Sequence, residues 1–304
     1  MRLLGNGTFD MHIHTHYSDG DEDQSLEAVC KAAAEAGISH LGITDHDVAH
    51  NSRLCSDIGA KYGVNLISGC EVSCFRKLED GRRVIVHLGA HWLHPHDKGM
   101  AQILRHNQNQ DFPGRVMALL HACAKQGLRP YGDTVENNFE RIRAAHPHSL
   151  HFGKRAVTEL MAESGCVPDR SIAYQLMARG GPAYVPVEEH MNFVSFEEAT
   201  EVITRLSLCT LNHLYYSGLE KSEERRLLLD FVKLGGDALE AIYHRYSDEQ
   251  RSTLVAIANE LSLLVNVGSD RHEASRDFMQ GDPELYMALR LRQRQKHGCL
   301  WGAL

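Results

Sequence analysis

The sequence predicts an α/β fold: a distorted barrel of about seven strands, with helices between them and one mostly helical insertion. Three observations lead there. Short strand-type apolar runs alternate with amphipathic runs. Several of the strand runs are followed by histidine or an acid. From about residue 99 to 196 the strand-like runs nearly vanish and helical patterns alternate with polar loops. The 304 residues suffice for one large α/β domain or a domain with an insertion. We divide them into a first barrel part (1–98), the helical insertion (99–196) and a second barrel part (197–304).

In chain order, Phe9 to His14 reads as a strand in which His12 and His14 share one face while Met11 and Ile13 pack behind. Gly20 ends that segment. Gln24 to Ala36 follows as a helix, with Leu26, Val29, Cys30 and Ala33 at helical spacing, and Leu41 to Thr44 returns as a strand. Such a strand–helix–strand unit favours a parallel pair with polar residues at the carboxyl ends. Ser52 to Tyr62 is then a helix and Val64 to Cys70 a strand that ends at Glu71. A polar hairpin turn at Leu78 to Arg82 leads into Arg83 to Gly89, where His87 ends a β-branched run. His91, His94 and His96 read as surface loop residues. Arg115 to Lys125 is a helical pattern within the insertion. The barrel resumes with the helix Phe196 to Leu206 and the strand Ser207 to Leu211, which delivers Asn212 and His213. A helix through Glu224 to Leu234, a strand Ala238 to His244 and a helix with Ser247 as N-cap follow. Leu263 to Val267 is the last strand, and the basic helical tail after Pro283 reads as solvated surface.

One His-x-His near a strand is most often a surface or hydrogen-bonded residue. Here His12 and His14 are joined by Asp19, His46, Glu71, His87, His213, Asp270 and His272, each beside a short apolar run. Imidazole and carboxylate hold first-row divalent metals, and no single strand could supply so many. A carboxylate such as Glu71 can bridge two ions, which an imidazole cannot. The pattern therefore points to a polynuclear metal site. Ser18, Ser73 and Ser269 lack the context that would activate a hydroxyl.

His12-Ile13-His14 with Ser18-Asp19-Gly20, then Thr44-Asp45-His46-Asp47, Gly69-Cys70-Glu71-Val72-Ser73, Val86-His87-Leu88-Gly89 and Gly268-Ser269-Asp270-Arg271-His272, resembles the polymerase and histidinol phosphatase (PHP) family of phosphoesterases. The blocks run in the family's order from near the N-terminus to about Glu273. The resemblance implies a distorted (β/α)7 barrel of the PHP type and three divalent ions. His12, His14, Glu71 and Asp270 would hold the first; Glu71, His87 and His213 the second; Asp19, His46 and His272 the third. Manganese is preferred by resemblance, and iron or zinc also suits these donors. Two such ions about 3.5–4 Å apart can share a hydroxide that attacks phosphorus in line. Asp45, His244 or a metal-bound water would protonate the leaving group, and the sequence does not choose among them. In the insertion, Gly180 to Pro186 resembles the nucleotide and sugar phosphate branch of the family. The block His151-Phe152-Gly153-Lys154-Arg155 would place His151, Lys154 and Arg155 near a substrate, the basic pair holding a phosphate at a helix start. One departure stands out. The family usually shows Ala-His-Pro where this chain has Asn212-His213-Leu214-Tyr215-Tyr216.

The expected activity is metal-dependent hydrolysis of phosphate mono- or diesters of a small phosphorylated ribose compound or nucleotide. In this branch, known substrates include nucleoside 3′,5′-bisphosphates, short oligonucleotides and five-membered cyclic phosphodiesters of ribose. The changed loop and the net charge of −8 favour a sugar phosphate or cyclic ester over an oligonucleotide. Alternatives are an amidohydrolase cleaving C–N bonds, a 5′-3′ oligoribonuclease, or a noncatalytic metal-stabilised module. A metal-bridging lysine would favour the first, and lost ligands the last. The acidic balance argues against a stable nucleic-acid partner. No run of about 18 apolar residues and no basic-then-apolar N-terminal segment occurs, so the expectation is a soluble, cytoplasmic protein without membrane contact. Eight scattered cysteines, without zinc-finger spacing, read as reduced thiols.

Overall fold

Seven strands form one sheet in the order of the chain: β1 (Thr8–Ile13), β2 (Ile38–Ile43), β3 (Asn65–Lys77), β4 (Arg83–His91), β5 (Leu208–Leu211), β6 (Ala238–Tyr243) and β7 (Leu264–Gly268). The structure is a computed structural model describing residues 8–93 and 97–297. The helices are α1 (Leu26–Glu35), α2 (Ser52–Tyr62), α3 (Lys98–Gln108), α4 (Phe112–Lys125), α5 (Val135–Ala145), α6 (Lys154–Glu163), α7 (Arg170–Leu176), α8 (Phe196–Leu206), α9 (Lys221–Lys233), α10 (Asp248–Glu260) and α11 (Pro283–His297). Neighbouring strands are parallel except that β4 runs antiparallel to both β3 and β5. The sheet curls into a nearly closed barrel. Its first and last edges meet at the carboxyl end, where the His14 N–H donates to the Arg271 carbonyl at 2.9 Å.

The reversal of β4 has a local cause. The Leu78–Arg82 turn is too short for a crossover helix, so the chain must return beside β3 as a hairpin. Asp80 accepts from the Arg82 N–H at 2.9 Å, and Gly81 takes φ +86°, which glycine adopts without strain. The ladder then runs without a break from Gly69 opposite His91 to Lys77 opposite Arg83. This corrects two expectations. Glu71 and His87 lie inside β3 and β4 rather than at strand ends, because the hairpin extends the ladder past both. His91, expected on a surface loop, is the buried last residue of β4. His94 and His96 lie outside the described residues.

A second irregularity sits in β1. Asp10 pairs with Leu41 and Ile13 with Ile43, so Met11 and His12 together face the single residue Gly42. A side chain on Gly42 would lie 2.9 Å from the Met11 Cα, so only glycine permits this approach. Met11 and Ile13 therefore do not share one backing layer as simple alternation predicts. Met11 packs with Phe9, Ile67, Leu208 and Leu289, whereas Ile13 packs with Leu26, Val29, Leu41 and Ile58 beneath α1 and α2.

Helix starts follow their caps. Ser25, Asn51, Ser195 and Ser247 each accept from a backbone N–H of the first turn of α1, α2, α8 and α10. Helices α4 to α6 enclose a core of their own, with Val116, Leu119, Ile142, Val157 and Met161. By contrast α3 sends Met100, Ile103 and Leu104 into the barrel cluster beside Phe196 and Ile203 of α8. The tail is also more integral than expected. On α11, Tyr286 stacks on His40 at 3.7 Å between ring centroids, Leu289 is fully buried, and Lys296 pairs with Asp237 at 2.9 Å. Among the described residues no helix is long and apolar enough to cross a membrane. The seven described cysteines are free thiols, and Cys299 lies outside the described residues.

Phe231 on α9 is fully buried and fills the space left by Gly236, whose Cβ would lie 2.3 Å from its ring. Phe231→Ala should therefore cost about 3–5 kcal/mol in a urea titration. A loss under about 1 kcal/mol would contradict this packing.

Candidate metal centre

The bulge of β1 and the end of that strand bring His12 and His14 together, with their Nε2 atoms 3.1 Å apart. Glu71 reaches them from β3, its Oε1 3.3 Å from His12 Nε2 and its Oε2 3.4 Å from His14 Nε2. Asp270, just past β7, places Oδ1 3.2 Å from His14 Nε2 and 3.5 Å from His12 Nε2. The two Glu71 oxygens then diverge. Oε1 lies 2.9 Å from His213 Nε2 and 3.7 Å from His87 Nδ1, and Oε2 lies 3.1 Å from His46 Nδ1. Beyond His14, Asp19 Oδ1 stands 3.0 Å from His272 Nε2 and 3.8 Å from His46 Nε2. All nine expected ligand residues thus converge at the carboxyl end of the barrel. Among the described residues, three overlapping groups have ligand atoms mutually within 4.8 Å: His14, Asp19, His46 and His272; His12, His14 and Glu71; and His46, Glu71 and His87. His14, His46 and Glu71 each belong to two of them. His213 and Asp270 hold positive φ, 23° and 50°, a conformation that costs non-glycine residues energy and recurs at functional sites.

The donor atoms fit divalent cations. Asp19 Oδ1, His46 Nδ1 and Glu71 Oε2 are buried and have no hydrogen-bond partner, a costly arrangement unless something else binds them. Burial alone would drive the Glu71 carboxyl up, yet the fields of His12, His87, His46 and His213 hold it well below the usual carboxylate range. Asp19 and Asp270 behave alike, with His272 the strongest opposing field for each. Burial pulls His14 down, but its bonds to Asp270 and Glu71 push it up to about 10. The carboxylates therefore demand positive charge at this spot, and neutral imidazoles with carboxylates are a donor set for manganese, iron or zinc.

Residues behind the ligands aim them. Glu240, buried on β6, accepts from His12 Nδ1 at 2.7 Å and from the His213 N–H at 2.8 Å, leaving His12 Nε2 free to face the centre. Tyr243 donates to Asp270 Oδ2 at 2.7 Å, and Asn212 donates to Glu71 Oε1 at 2.8 Å. None of these was singled out from the sequence. The one available signal was an acid, Glu240, inside an apolar strand.

The two side chains expected as proton donors both accept hydrogen bonds here. Asp45 accepts four bonds at 2.6 Å, from the Thr15 N–H, Thr15 Oγ1, Ser18 Oγ and His50 Nε2. Burial opposes its charge, but His50 and the other partners hold it at about 2. Through these bonds it organises the loop after β1. His244 Nε2 accepts from Arg276 at 2.6 Å and from Arg245 Nε at 3.2 Å, and burial with Arg276 lowers it to about 3. It is a neutral acceptor.

Above the centre lies a cavity of about 500 Å³, walled on one side by the insertion. His151 stacks on His46 at 4.9 Å and meets Phe112 at a tilt at 4.3 Å, with Nδ1 3.7 Å from Asp47 Oδ2. The expected basic pair divides. Lys154 lies over the Tyr174 ring at 4.9 Å and lines the cavity, and among the described residues no carboxylate pairs with it. Arg155 is instead neutralised by Asp21 and Glu159, both at 2.8 Å, and ties the insertion to the barrel. The unexpected partner of Lys154 is Arg115 on α4, buried and without a described carboxylate partner; burial and Arg115 together lower the Lys154 pKa.

The PHP domain model matches residues 10–208, more than half of the chain. The chain belongs to the PHP domain family. Among curated relatives of this PHP protein, phosphoribosyl 1,2-cyclic phosphate 1,2-diphosphodiesterase of Eggerthella lenta is 36% identical over 280 residues, covering 86% of this chain and 93% of the relative. The 3′,5′-nucleoside bisphosphate phosphatase of Chromobacterium violaceum is 26% identical over 275 residues, covering 88% and 89%. The 5′-3′ exoribonuclease Rnm of Escherichia coli is 26% identical over 269 residues, covering 87% and 85%. In structure, a metal-dependent phosphoesterase from Bifidobacterium adolescentis superposes with a TM-score of 0.75 at 18% identity, covering 97% of this chain and 98% of that one, which shows the shared fold.

Removing Glu240 frees His12 to rotate. Glu240→Ala should lower divalent-metal affinity about 10- to 100-fold, measured by competition with a chelator. Unchanged affinity in a folded variant would reject its orienting role.

Proposed function

We propose that this PHP-family hydrolase of phosphoric esters cleaves a phosphate mono- or diester of a small phosphorylated ribose compound or nucleotide, with a second anionic group of the substrate held by the insertion. The observation that carries the reading is the juxtaposition of the overlapping donor groups with the cations Lys154 and Arg115 in one cavity, neither in a direct ion pair among the described residues. His12, His14, Glu71 and Asp270 would hold one ion, Glu71, His87 and His213 a second, and Asp19, His46 and His272 a third, with manganese the preferred metal. Divalent ions there neutralise phosphoryl oxygens and lower the pKa of water. The chain's own residues supply placement. Glu240, Tyr243 and Asn212 fix the donors, while His151 stacks on His46 and is itself backed by Phe112. The names of the relatives support a nucleoside 3′,5′-bisphosphate or a cyclic ribose phosphodiester as substrate class.

A screen of the manganese-loaded protein against phosphate monoesters and cyclic diesters, read as released phosphate or as ring-opened monoester, tests the activity, and the phosphate-release assay also tests the second-anion site. A charge-assisted contact to phosphate contributes roughly 1.5–3 kcal/mol. Lys154→Ala should therefore lower kcat/KM for a bisphosphate by about one to two orders of magnitude and leave a monophosphate analogue nearly unchanged. Arg155→Ala should instead lower Tm, because it removes the Asp21 pair and leaves Glu159 with Arg170 alone. Equal losses on both substrates for Lys154→Ala would overturn the second-anion reading.

A further inference from the structure

We propose that Tyr216, with Arg245 beside it, is a stacking platform for the base of a nucleotide substrate; this rests on the phosphoesterase reading above and narrows its substrate class. Tyr216 lies in the turn directly after His213, where the sequence departs from the family's usual Ala-His-Pro. Single exposed aromatics are ordinary on a surface. This one differs in place and in support. It is 53% exposed, yet it lines the cavity that holds Glu71, His87 and Asp270.

Two buried tyrosines hold its ring. Tyr246 lies nearly parallel to it, 6.0 Å away at 14°, and Tyr243 meets it edge-on at 5.7 Å. Tyr246 is itself fixed by accepting from the Tyr215 N–H at 3.2 Å, and Tyr243 by donating to Asp270 at 2.7 Å. The exposed ring is thus set at a fixed place relative to a proposed metal ligand. Arg245 lies 5.8 Å from the Tyr216 ring centroid, and its Nε donates to His244. Among the described residues no carboxylate pairs with Arg245, so its planar cation remains available to a π-face.

A base is the ligand part that uses such a wall, because every base has a flat π-face and stacking needs no particular edge pattern. A ribose phosphate without a base leaves the Tyr216 face in water. The cavity then has separate walls for the parts of a nucleotide: the donor cluster for the reacting phosphate, Lys154 and Arg115 for a second anion, and Tyr216 with Arg245 for the base.

Calorimetric titration of the manganese-loaded protein with adenosine 5′-monophosphate and with ribose 5-phosphate tests this. The wild type should bind the nucleotide more tightly. Tyr216→Ala should weaken nucleotide binding roughly 5- to 150-fold, the range for removing a base-stacking aromatic, and leave ribose 5-phosphate unchanged. Tyr216→Phe should keep wild-type binding. Equal affinity of the wild type for both ligands, or equal loss of both in Tyr216→Ala, would overturn the platform. The phosphoesterase reading fails separately: it falls if the wild type hydrolyses no phosphate mono- or diester, whatever the two titrations show.

Discussion

A fully buried carboxylate shared among five histidines is the constraint on which the structure depends. Glu71 has no solvent to stabilise its charge, and His12, His14, His46, His87 and His213 all approach its oxygens. A buried charge is tolerated only when it is paired and hydrogen-bonded. Five strands must therefore pass or end at one point, and the barrel is the scaffold that does this. The β3–β4 hairpin puts Glu71 and His87 on adjacent strands, the bulge in β1 turns His12 toward them, and the strained backbone at His213 brings in the partner from β5.

Around this cluster a second layer removes freedom from each donor. Glu240 accepts from both His12 and His213, and so couples β1 and β5 through β6. Asp45 gathers Thr15, Ser18 and His50 and holds the loop that carries Asp19. The insertion contributes a different chemistry, with Lys154 and Arg115 on one wall, while the barrel supplies tyrosines on another. Donor cluster, cations and aromatic rings face one cavity because the long segment between β4 and α8 folds back over the carboxyl end of the strands.

The histidines and acids that converge at the candidate centre were legible in the sequence as a group because each sits in a short local pattern beside an apolar run. Their orienting partners were not. His12 and Glu240 are 228 positions apart, and nothing local in either segment announces the other. Arg155 illustrates the opposite error: a basic pair at a helix start looks like an anion site, but only the folded chain shows Asp21 and Glu159 neutralising one of its members. Asp45 stands within the family pattern beside His46, yet its four donors make it a fixed acceptor. The antiparallel course of β4 was half legible. The polar turn announced a hairpin, while the length of the ladder past Glu71 depended on pairing that no local signal encodes. The basic tail hid a buried stripe, Tyr286 and Leu289, among charged neighbours.

Anomalous diffraction from crystals of the manganese-loaded protein tests the central claim most directly. The account predicts three manganese peaks: one among His12, His14, Glu71 and Asp270, one among Glu71, His87 and His213, and one among Asp19, His46 and His272, with Glu71 touching two of them. Peaks that lie elsewhere, or a Glu71 carboxylate that touches no ion in a fully loaded crystal, would contradict it.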